Sequence, residues 1–434
     1  MSCEIAPTMA STTIAIMTSL PGIIIIGNGN YVQIGDDKKP KDMDYDICVY
    51  HGPCSDGLAA SWAVQMNDKS IRMIAQAPGC HKLFNYMGKD KWVGKTVVFV
   101  DICPVLEVLN ELVEVCKHVT ILDHHETNRN IIMKLANNAQ LPPNLDVIFD
   151  MERAGCQIAW DYFHYDNANK KVKPRPWFLD YIGDGDLWFP SERKTPNPLP
   201  DSRSVTKGLH VCGYLDSRST LYELYKKTYN VDDHYQLSSK LTLIQDILIP
   251  TGKQTIKTDK KVITNMINRA WLVEYISEDG PSYYGWLVNN TNYTITSDLG
   301  HQMLNRPIVL STMASNVSDA NDNKTASKIC NYPGAGIDKL HIGQALTYCM
   351  KTDTDMGETI EQLMPAFSVI IRGYDPLSRS MMISLRGGES HSPNVADIAS
   401  RFGGGGHAAA AGMEMSTLDF HTYFKVIEHA KLSN

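Results

Sequence analysis

None of the ten cysteines forms a CxxC pair: Cys3, Cys48, Cys54, Cys80, Cys103, Cys116, Cys156, Cys212, Cys330 and Cys349 are scattered along the chain. That scatter excludes a zinc knuckle and a redox dithiol, and most of these residues read as small apolar side chains in a reducing compartment. Excess positive charge is also lacking, since 41 Lys and Arg stand against 48 Asp and Glu for a net charge of −7. Such a balance argues against a protein that coats long nucleic acid by bulk electrostatics. A small anionic substrate in a local basic or metal-lined pocket stays compatible with it. No apolar run has transmembrane length, because "TTIAIMTSLPGIIIIG" is broken at Pro21 and Gly22 and has no basic leader. A cytoplasmic chain without a membrane partner is the expectation. The four N-x-S/T sequons, at Asn289, Asn292, Asn316 and Asn323, would matter only in a secreted chain and are read as chance. No internal repeat is visible.

With 434 residues, two or three domains are expected, and 43% apolar with 21% charged residues is ordinary for a globular protein. Residues 1–43 read as an extension: "GIIIIGNGNYVQIGDD" has β-branched residues on both sides of an Asn-Gly turn, a hairpin pattern, and "DDKKPKDMD" is a solvated linker. From residue 44 to 205 strands and helices alternate. "YDICVYH", "KTVVFVD", "HVTILDHH" and "LDVIFD" read as strands, while "GLAASWAVQM", "VLEVLNELVEVC", "AGCQIAWDYFHY" and "WFLDYIGDGDLW" read as helices. The stretch 168–176 reads as a loop. Residues 206–268 have helical periodicity and are expected to link two lobes. In 269–434, "AWLVEYI", "SYYGWLVNN", "RPIVLSTM", "AFSVIIRGY" and "MMISLRG" read as strands of one further sheet, with a polar insertion near 312–365. The fold class is therefore α/β: a parallel-sheet lobe with flanking helices, plus a smaller α/β lobe joined to it by a helical linker.

Ionisable residues gather at consecutive strand ends. "ICVYH" ends in His51 and runs into "GPCSDG" with Asp56. "VVFVD" ends in Asp101, and "VTIL" in Asp123, His124 and His125; Asp184 and Asp186 follow "FLDYIG". The carboxyl ends of parallel strands open onto one crevice, so these groups are expected to converge there. Carboxylates with imidazoles suit Mn²⁺ and related divalent ions, and a shared carboxylate permits a two-metal arrangement. Taken singly, each Asp is as readily a turn former or helix cap, and each His a structural residue.

These motifs, in the order "VYHGPCSDGLAA", "VFVDICP", "TILDHHET" and "YIGDGDLW", resemble the DHH phosphoesterase superfamily. The later "SLRGGESHSPNVADIASRFGGGGHAAAAG" resembles the DHHA1 lobe that accompanies it. The resemblance spans roughly residues 45–205 and 270–415. It implies two Mn²⁺ ions, with Mg²⁺ or Co²⁺ as substitutes. His51, Asp101 and an acid of the first motif would hold one ion, and Asp56, Asp101, His124 and Asp184 the other, with Asp101 bridging. His125 would face the substrate phosphate and Asp123 would orient its neighbours, while Asp186 would cap or support its loop. In the second lobe, Arg386 would bind a substrate phosphate and His407 the phosphate or base. Gly404, Gly405 and Gly406 would form a backbone cradle for an anion, followed by a small-residue helix. Asn394 and Ser384 are open between substrate contacts and ordinary cap and strand positions.

One residue departs from the superfamily pattern. Cys54 stands where an Asp ligand is often found, at a spacing one residue shorter, and is open between a thiolate ligand and a packing residue. The resemblance implies a metal-dependent hydrolase, a phosphoesterase or nuclease acting on short oligonucleotides or (cyclic) dinucleotides; a homodimer is compatible with the sequence. The alternative is a catalytically inactive nucleotide- or nucleic-acid-binding protein on the same fold.

Overall fold

The computed structural model describes residues 23–26, 43–77, 88–137, 142–166, 171–188, 199–228, 234–277, 282–306, 308–312, 328–329, 349–353, 359–388 and 393–427. The chain divides into two compact units, Met1–Gly252 and Lys253–Asn434.

The first unit is built on six parallel strands: β1 (Ile23–Ile26), β2 (Ile47–His51), β3 (Arg72–Gln76), β4 (Thr96–Val100), β5 (His118–Asp123) and β6 (Leu145–Asp150). Their order is β1-β6-β5-β4-β2-β3, and every neighbouring pair is parallel. Helix α1 (Ser55–Asn67) follows β2, α2 (Leu106–Val115) follows β4, α3 (Glu126–Asn137) follows β5, and α4 (Gly155–Phe163) follows β6. Strands buried on both faces read as continuous apolar runs, and the period of two distributes each run between two cores. Cys48, Val98, Val100 and Leu122 enter the core shared with α1 and α4. Ile47, Val49, Val97, Phe99, Val119 and Ile121 enter the opposite core with Val108, Leu109 and Leu112 of α2. Trp62 of α1 stacks on Trp160 of α4 at a centroid distance of 5.9 Å. The chain leaves β2 toward β3 on one side and returns to β4 on the other, so the strand order reverses between β2 and β4. A ligand crevice lies outside the carboxyl ends of the strands at such a switch point.

Beyond β6, a short hairpin of β7 (Tyr165–Asp166) and β8 (Lys171–Val172) occupies part of the stretch expected as a loop. It precedes α5 (Trp177–Asp186), α6 (Ser202–Val211), α7 (Arg218–Thr228), α8 (His234–Thr242) and α9 (Ile249–Ile267). Of the linker expected at 206–268, the described residues up to 248 belong to the body of the first unit. Leu209, Leu215, Leu221, Leu224, Leu243 and Leu248 form part of its core, because their helical spacing makes an apolar stripe that the α1–α4 layer covers. The division between the units falls inside α9. At the amino end, Ile23–Ile26 pairs in parallel with Leu145–Asp150 as an edge strand of the main sheet, which a local hairpin partner would not provide; the other arm of the expected hairpin lies outside the described residues.

The second unit has a seven-stranded sheet of β9 (Trp271–Tyr275), β10 (Tyr283–Asn289), β15 (Phe367–Asp375), β16 (Ser380–Gly387), β17 (Gly405–His407), β18 (Ala410–Ser416) and β19 (Phe424–Ile427). Its order is β17-β18-β16-β15-β10-β9-β19, and only β10 and β15 run parallel among the described pairs. Helix α10 (Thr296–Leu304) covers one face through Leu299 and Met303 against Trp286 and Ile370. Helices α11 (Val395–Arg401) and α12 (Thr417–Tyr423) cover the other, with Val395, Ile398 and Phe420 among Phe367, Ile383 and Leu385. "RPIVLSTM" does not join this sheet. Its strand β11 (Ile308–Thr312) lies in a separate antiparallel sheet with β12 (Lys328–Ile329), β13 (Cys349–Asp353) and β14 (Thr359–Leu363), in the order β12-β11-β14-β13. The described part of the 312–365 stretch belongs to that small sheet. Among the described residues no helix is long and apolar enough to cross a membrane.

Candidate metal centre

Asp101 follows the last residue of β4 and adopts the left-handed region, with φ at 58°. A non-glycine residue there is uncommon and is held by its surroundings. Its amide donates to Leu122 O of β5 at 2.9 Å, and its side chain is 1% exposed. One carboxylate oxygen, Oδ2, is 3.3 Å from His51 Nδ1, and the other, Oδ1, is 3.0 Å from His124 Nε2. Two strand ends on opposite sides of β4 thus meet the two oxygens of one carboxylate. Gly155 makes the approach possible, because a Cβ at that position would lie 2.5 Å from Asp101 Cβ.

Asp56 reaches the cluster from the first turn of α1, and its carboxylate also serves the amino end of α4. Gly155 N donates to its Oδ2 at 2.6 Å and Cys156 N to its Oδ1 at 2.9 Å. The amino ends of two helices therefore face one acid, an arrangement that favours negative charge. Gly57 sits against the end of β2, where a Cβ would stand 2.1 Å from His51 O. His124 Nε2 is 3.6 Å from Asp56 Oδ2 and 3.4 Å from Asp186 Oδ2.

Asp123 works differently. It is fully buried, and its Oδ1 accepts from His124 N at 2.8 Å and His125 N at 3.3 Å, and lies 2.8 Å from His125 Nδ1. Asn128 Nδ2 donates to Oδ2. An ionised carboxylate only accepts, so His125 Nδ1 carries the hydrogen in that pair and Nε2 is the ring's acceptor. Asp123 therefore fixes the turn and the tautomer of the residue beside it.

The electrostatics of the cluster call for a cation. Burial pushes the Asp56 carboxyl well above the usual carboxylate range, and the charges of Asp101 and Asp186 push it the same way. Asp186 is raised too, by burial and then by Asp101 against the opposing pull of His124. Asp101 itself is held well below that range, since its hydrogen bonds to His124 and His51 outweigh burial. His124 is lifted to about 10, with the Asp101 bond and the charges of Asp186, Asp101 and Asp56 overcoming burial. Asp56 and Asp101 are buried and Asp186 meets them from an exposed position; the three negative charges repel one another, and a divalent ion among them would offset that repulsion. His51, Cys54 and Asp101 offer ligand atoms within 4.8 Å of one another, as do Asp56, His124 and Asp186. The donor set fits a divalent metal.

Most of the sequence-derived set comes together here: His51, Cys54, Asp56, Asp101, Asp123, His124 and His125. Asp184 does not. It is buried and accepts a hydrogen bond from Ser202 Oγ. Asp186, expected only as a cap or loop support, is the acid of "GDGD" that meets His124. Residues two apart on a helix point in different directions, so α5 can aim only one of them into the cluster. Periodicity gave no signal between the two acids, since Trp177, Phe178, Leu179, Tyr181 and Ile182 are all buried. The backbone donors of Gly155 and Cys156 were not legible as site groups either.

Around the amino end of α4 lies an ion-pair network. Arg153 bonds Asp150 and, through Nη1 at 2.6 Å, Asp161. Arg175 Nε donates to Asp161 Oδ1 at 2.8 Å, and its Nη1 is 3.3 Å from Asp180. Gln157 joins Asp180 to Ala154 N, the residue before Gly155.

In the second unit, Arg386 lies on β16 and donates from Nη2 to Ser297 Oγ at 2.7 Å and from Nη1 to Leu385 O at 2.8 Å. Burial, and then the like charge of Arg372, lower its pKa to about 10, so it stays protonated at neutral pH, with Asp298 as the opposing charge. Ser384 is a buried strand residue paired with Ile370 and Gly412. Asn394 is the cap of α11, its Oδ1 accepting from Ala396 N at 3.0 Å. The glycine run is an edge strand and not an open loop: Gly405 faces Gly412, Gly406 faces Ala411 and His407 faces Ala410. Glycine is needed at 404, where a Cβ would stand 2.2 Å from Gly412 O. Of the small residues after His407, Ala408 and Ala409 turn the chain and Ala410, Ala411 and Gly412 lie in strand β18, not in a helix, because Ala410–Ser416 completes a ladder with Ser380–Arg386.

Fold and site together define an α/β protein that collects carboxylates and imidazoles at the switch point of a parallel sheet, and in its motifs it resembles the DHH phosphoesterase superfamily. No protein-family model matches the chain. It is 27% identical over 272 residues to Uncharacterized protein R106 of Acanthamoeba polyphaga mimivirus, covering 60% of this chain and 54% of that protein. The chain thus spans about half the length of the curated relative it matches. Among solved structures it is similar to an uncharacterized protein from Helicobacter pylori G27, with a TM-score of 0.31, 12% identity, and 86% and 93% of the two chains covered. It is also similar to the pGpG-specific phosphodiesterase PggH of Vibrio cholerae, with a TM-score of 0.28, 12% identity, and 87% and 96% coverage. A third is an exopolyphosphatase-related protein from Bacteroides fragilis, with a TM-score of 0.30, 10% identity, and 85% and 86% coverage. At these scores no residue correspondence follows from the superpositions.

Proposed function

We propose that the chain is a divalent-metal-dependent phosphoesterase that hydrolyses phosphoester bonds of short oligonucleotides, (cyclic) dinucleotides or nucleotide phosphates. The observation that carries this reading is Asp101, one carboxylate with an oxygen toward His51 and an oxygen toward His124. Such a group is suited to bridge two ions. On this reading His51, Cys54 and Asp101 would hold one ion, and Asp56, Asp101, His124 and Asp186 the other. Mn²⁺ suits the oxygen-rich second set, with Mg²⁺ or Co²⁺ as substitutes. Bound divalent ions supply Lewis-acid polarisation of a phosphoryl oxygen and ready a water for attack at neutral pH.

The protein's own groups do the rest. Asp123 holds the Nδ1 proton of His125, which leaves Nε2 to accept a hydrogen from a water or a substrate hydroxyl beside the phosphate. Gly155 and Cys156 hold Asp56 through their amides, so its orientation does not depend on a flexible side chain partner. In the second unit the neighbouring charges of Arg386 and Arg372 support a role in binding phosphate, with Arg386 as the phosphate group's partner and His407 beside the phosphate or base. The negative net charge supports a short substrate over a long single strand. A cytoplasmic location accords with the scattered cysteines, of which Cys48, Cys54, Cys103, Cys116, Cys156 and Cys212 form no disulfide.

The test is Mn²⁺-dependent product release from a panel of short RNAs, cyclic dinucleotides and 3′-phosphoadenosine phosphate, with Asp101→Ala as control. Turnover of one class, abolished in the variant, is the expected result. Metal binding without turnover of any of them sinks the substrate assignment, and a chain that binds no metal sinks the enzyme and leaves a binding protein.

A further inference from the structure

The two halves of the cluster do not carry the same chemistry. Asp56, His124 and Asp186 give two carboxylates and an imidazole, whereas His51, Cys54 and Asp101 give an imidazole, a sulfur and one carboxylate oxygen. The buried Cys48 and Cys156 pack in one hydrophobic core of the first unit and the buried Cys103 and Cys116 in the other, whereas Cys54 is partly buried and belongs to neither. It stands directly before α1 in extended backbone, φ −148° and ψ 141°, with its carbonyl accepting from Leu58 N at 3.0 Å. The backbone there is occupied with starting the helix, and the sulfur is delivered to the cluster.

Ligand hardness then separates the halves. Carboxylate oxygens suit Mn²⁺ and Mg²⁺, while thiolate with imidazole suits softer or borderline ions such as Zn²⁺, Fe²⁺, Co²⁺ and, as a laboratory probe, Cd²⁺. Asp101 turns a separate oxygen to each half, so one carboxylate can serve two different ions. We infer that the centre is built for two unlike metals: a soft or borderline divalent ion on His51, Cys54 and Asp101, and a hard one on Asp56, Asp101, His124 and Asp186. This inference rests on the cluster being a metal centre at all.

The experiment uses the full chain freed of metal and titrated with Co²⁺ and Cd²⁺, followed by absorption and by metal content per chain. Wild type is expected to show the near-ultraviolet charge-transfer band of a thiolate on Co²⁺, and Cd²⁺ is expected to displace one of two bound Mn²⁺ ions. In Cys54→Ser that band should vanish while the visible bands of the remaining cobalt persist, and Cd²⁺ affinity at one site should fall by a factor of about 10–100 or more, at least the loss usual for supporting residues. Cys54→Asp should bind two Mn²⁺ and lose the Cd²⁺ preference, which guards against a serine variant that fails to fold. Cobalt bound without a thiolate band, or Cd²⁺ displacing both Mn²⁺ ions equally, overturns the unlike-metal centre and leaves the metal-centre reading standing. No metal bound by the folded wild type overturns both.

Discussion

Gly155 and Asp101 are separated by more than fifty residues, yet a Cβ on the glycine would stand 2.5 Å from the aspartate's own Cβ. The close approach lets α4 present two amides to Asp56 while Asp101 keeps its left-handed backbone at the end of β4. Gly155→Ala must push one of these two elements away. Overpacking of this kind costs about 1–3 kcal/mol, so thermal unfolding should shift down measurably. Metal affinity should fall along with stability, because the displaced neighbour is the shared carboxylate. Equilibrium dialysis on the folded variant checks this: unchanged metal affinity would show that Asp101 is not where the centre is organised.

The two acids of "GDGD" make opposite predictions. Asp186→Asn removes a carboxylate that faces His124, and metal affinity should drop by a factor of about 10–100 or more with little loss of fold stability. Asp184→Asn weakens a buried bond from Ser202, at a cost of about 1–3 kcal/mol, and should leave metal content intact. Isothermal titration paired with thermal denaturation on both variants separates the roles. The reverse pattern would restore Asp184 as the ligand.

Sequence carried the first unit's architecture well, and for a physical reason. Strands such as Thr96–Val100, buried on both faces, leave continuous apolar runs, and the acids at their ends break those runs at the crevice. What it did not carry depends on contacts between distant residues. The alanines after His407 have high helix propensity, yet Ala408 and Ala409 form a turn and Ala410 and Ala411 a strand, since pairing with Ser380–Arg386 outweighs local preference. That Asp186 meets His124 while Asp184 bonds Ser202 depends on contacts between distant residues, which the apolar spacing of α5 leaves open. The helices of 206–248 look like a linker in one dimension because the α1–α4 layer that covers them is far away in sequence.

Asp123 should be needed for the state of His125 and not for metal. Asp123→Asn can still accept one bond, but its amide can also turn a donor toward His125 Nδ1 and invert the tautomer. Turnover on whichever phosphoester proves to be the substrate should fall by a factor of about 10²–10⁴, the range of a positioned acid–base group. Metal content should be unchanged. The check is a kcat measurement beside metal analysis, and parallel loss of both would move Asp123 into the metal's own coordination sphere.

His210 predicts a pH dependence away from the chemistry. It lies in the last turn of α6, with Nε2 3.3 Å from Ser55 Oγ, next to the acid of α1. Burial, and then the charge of Lys207, lower its pKa to about 4 from the usual 6.5, against a smaller opposing effect of Asp216. Above the usual value neither the folded nor the unfolded chain binds this proton, and His210 has no effect on stability. As pH falls below about 6.5 the unfolded chain takes up the proton and the folded chain refuses it, so stability declines until the folded value near 4 is reached. The loss amounts to about 2 kcal/mol by pH 5 and about 3 kcal/mol in full. His210→Gln, which keeps a polar group toward Ser55 without a titrating one, should flatten this part of the curve. Unfolding midpoints of the two proteins between pH 7 and pH 5, both freed of metal so that acid release of ions plays no part, should therefore converge or cross as pH falls. Curves that stay parallel would mean that His210 takes up its proton in the folded chain as readily as in the unfolded one.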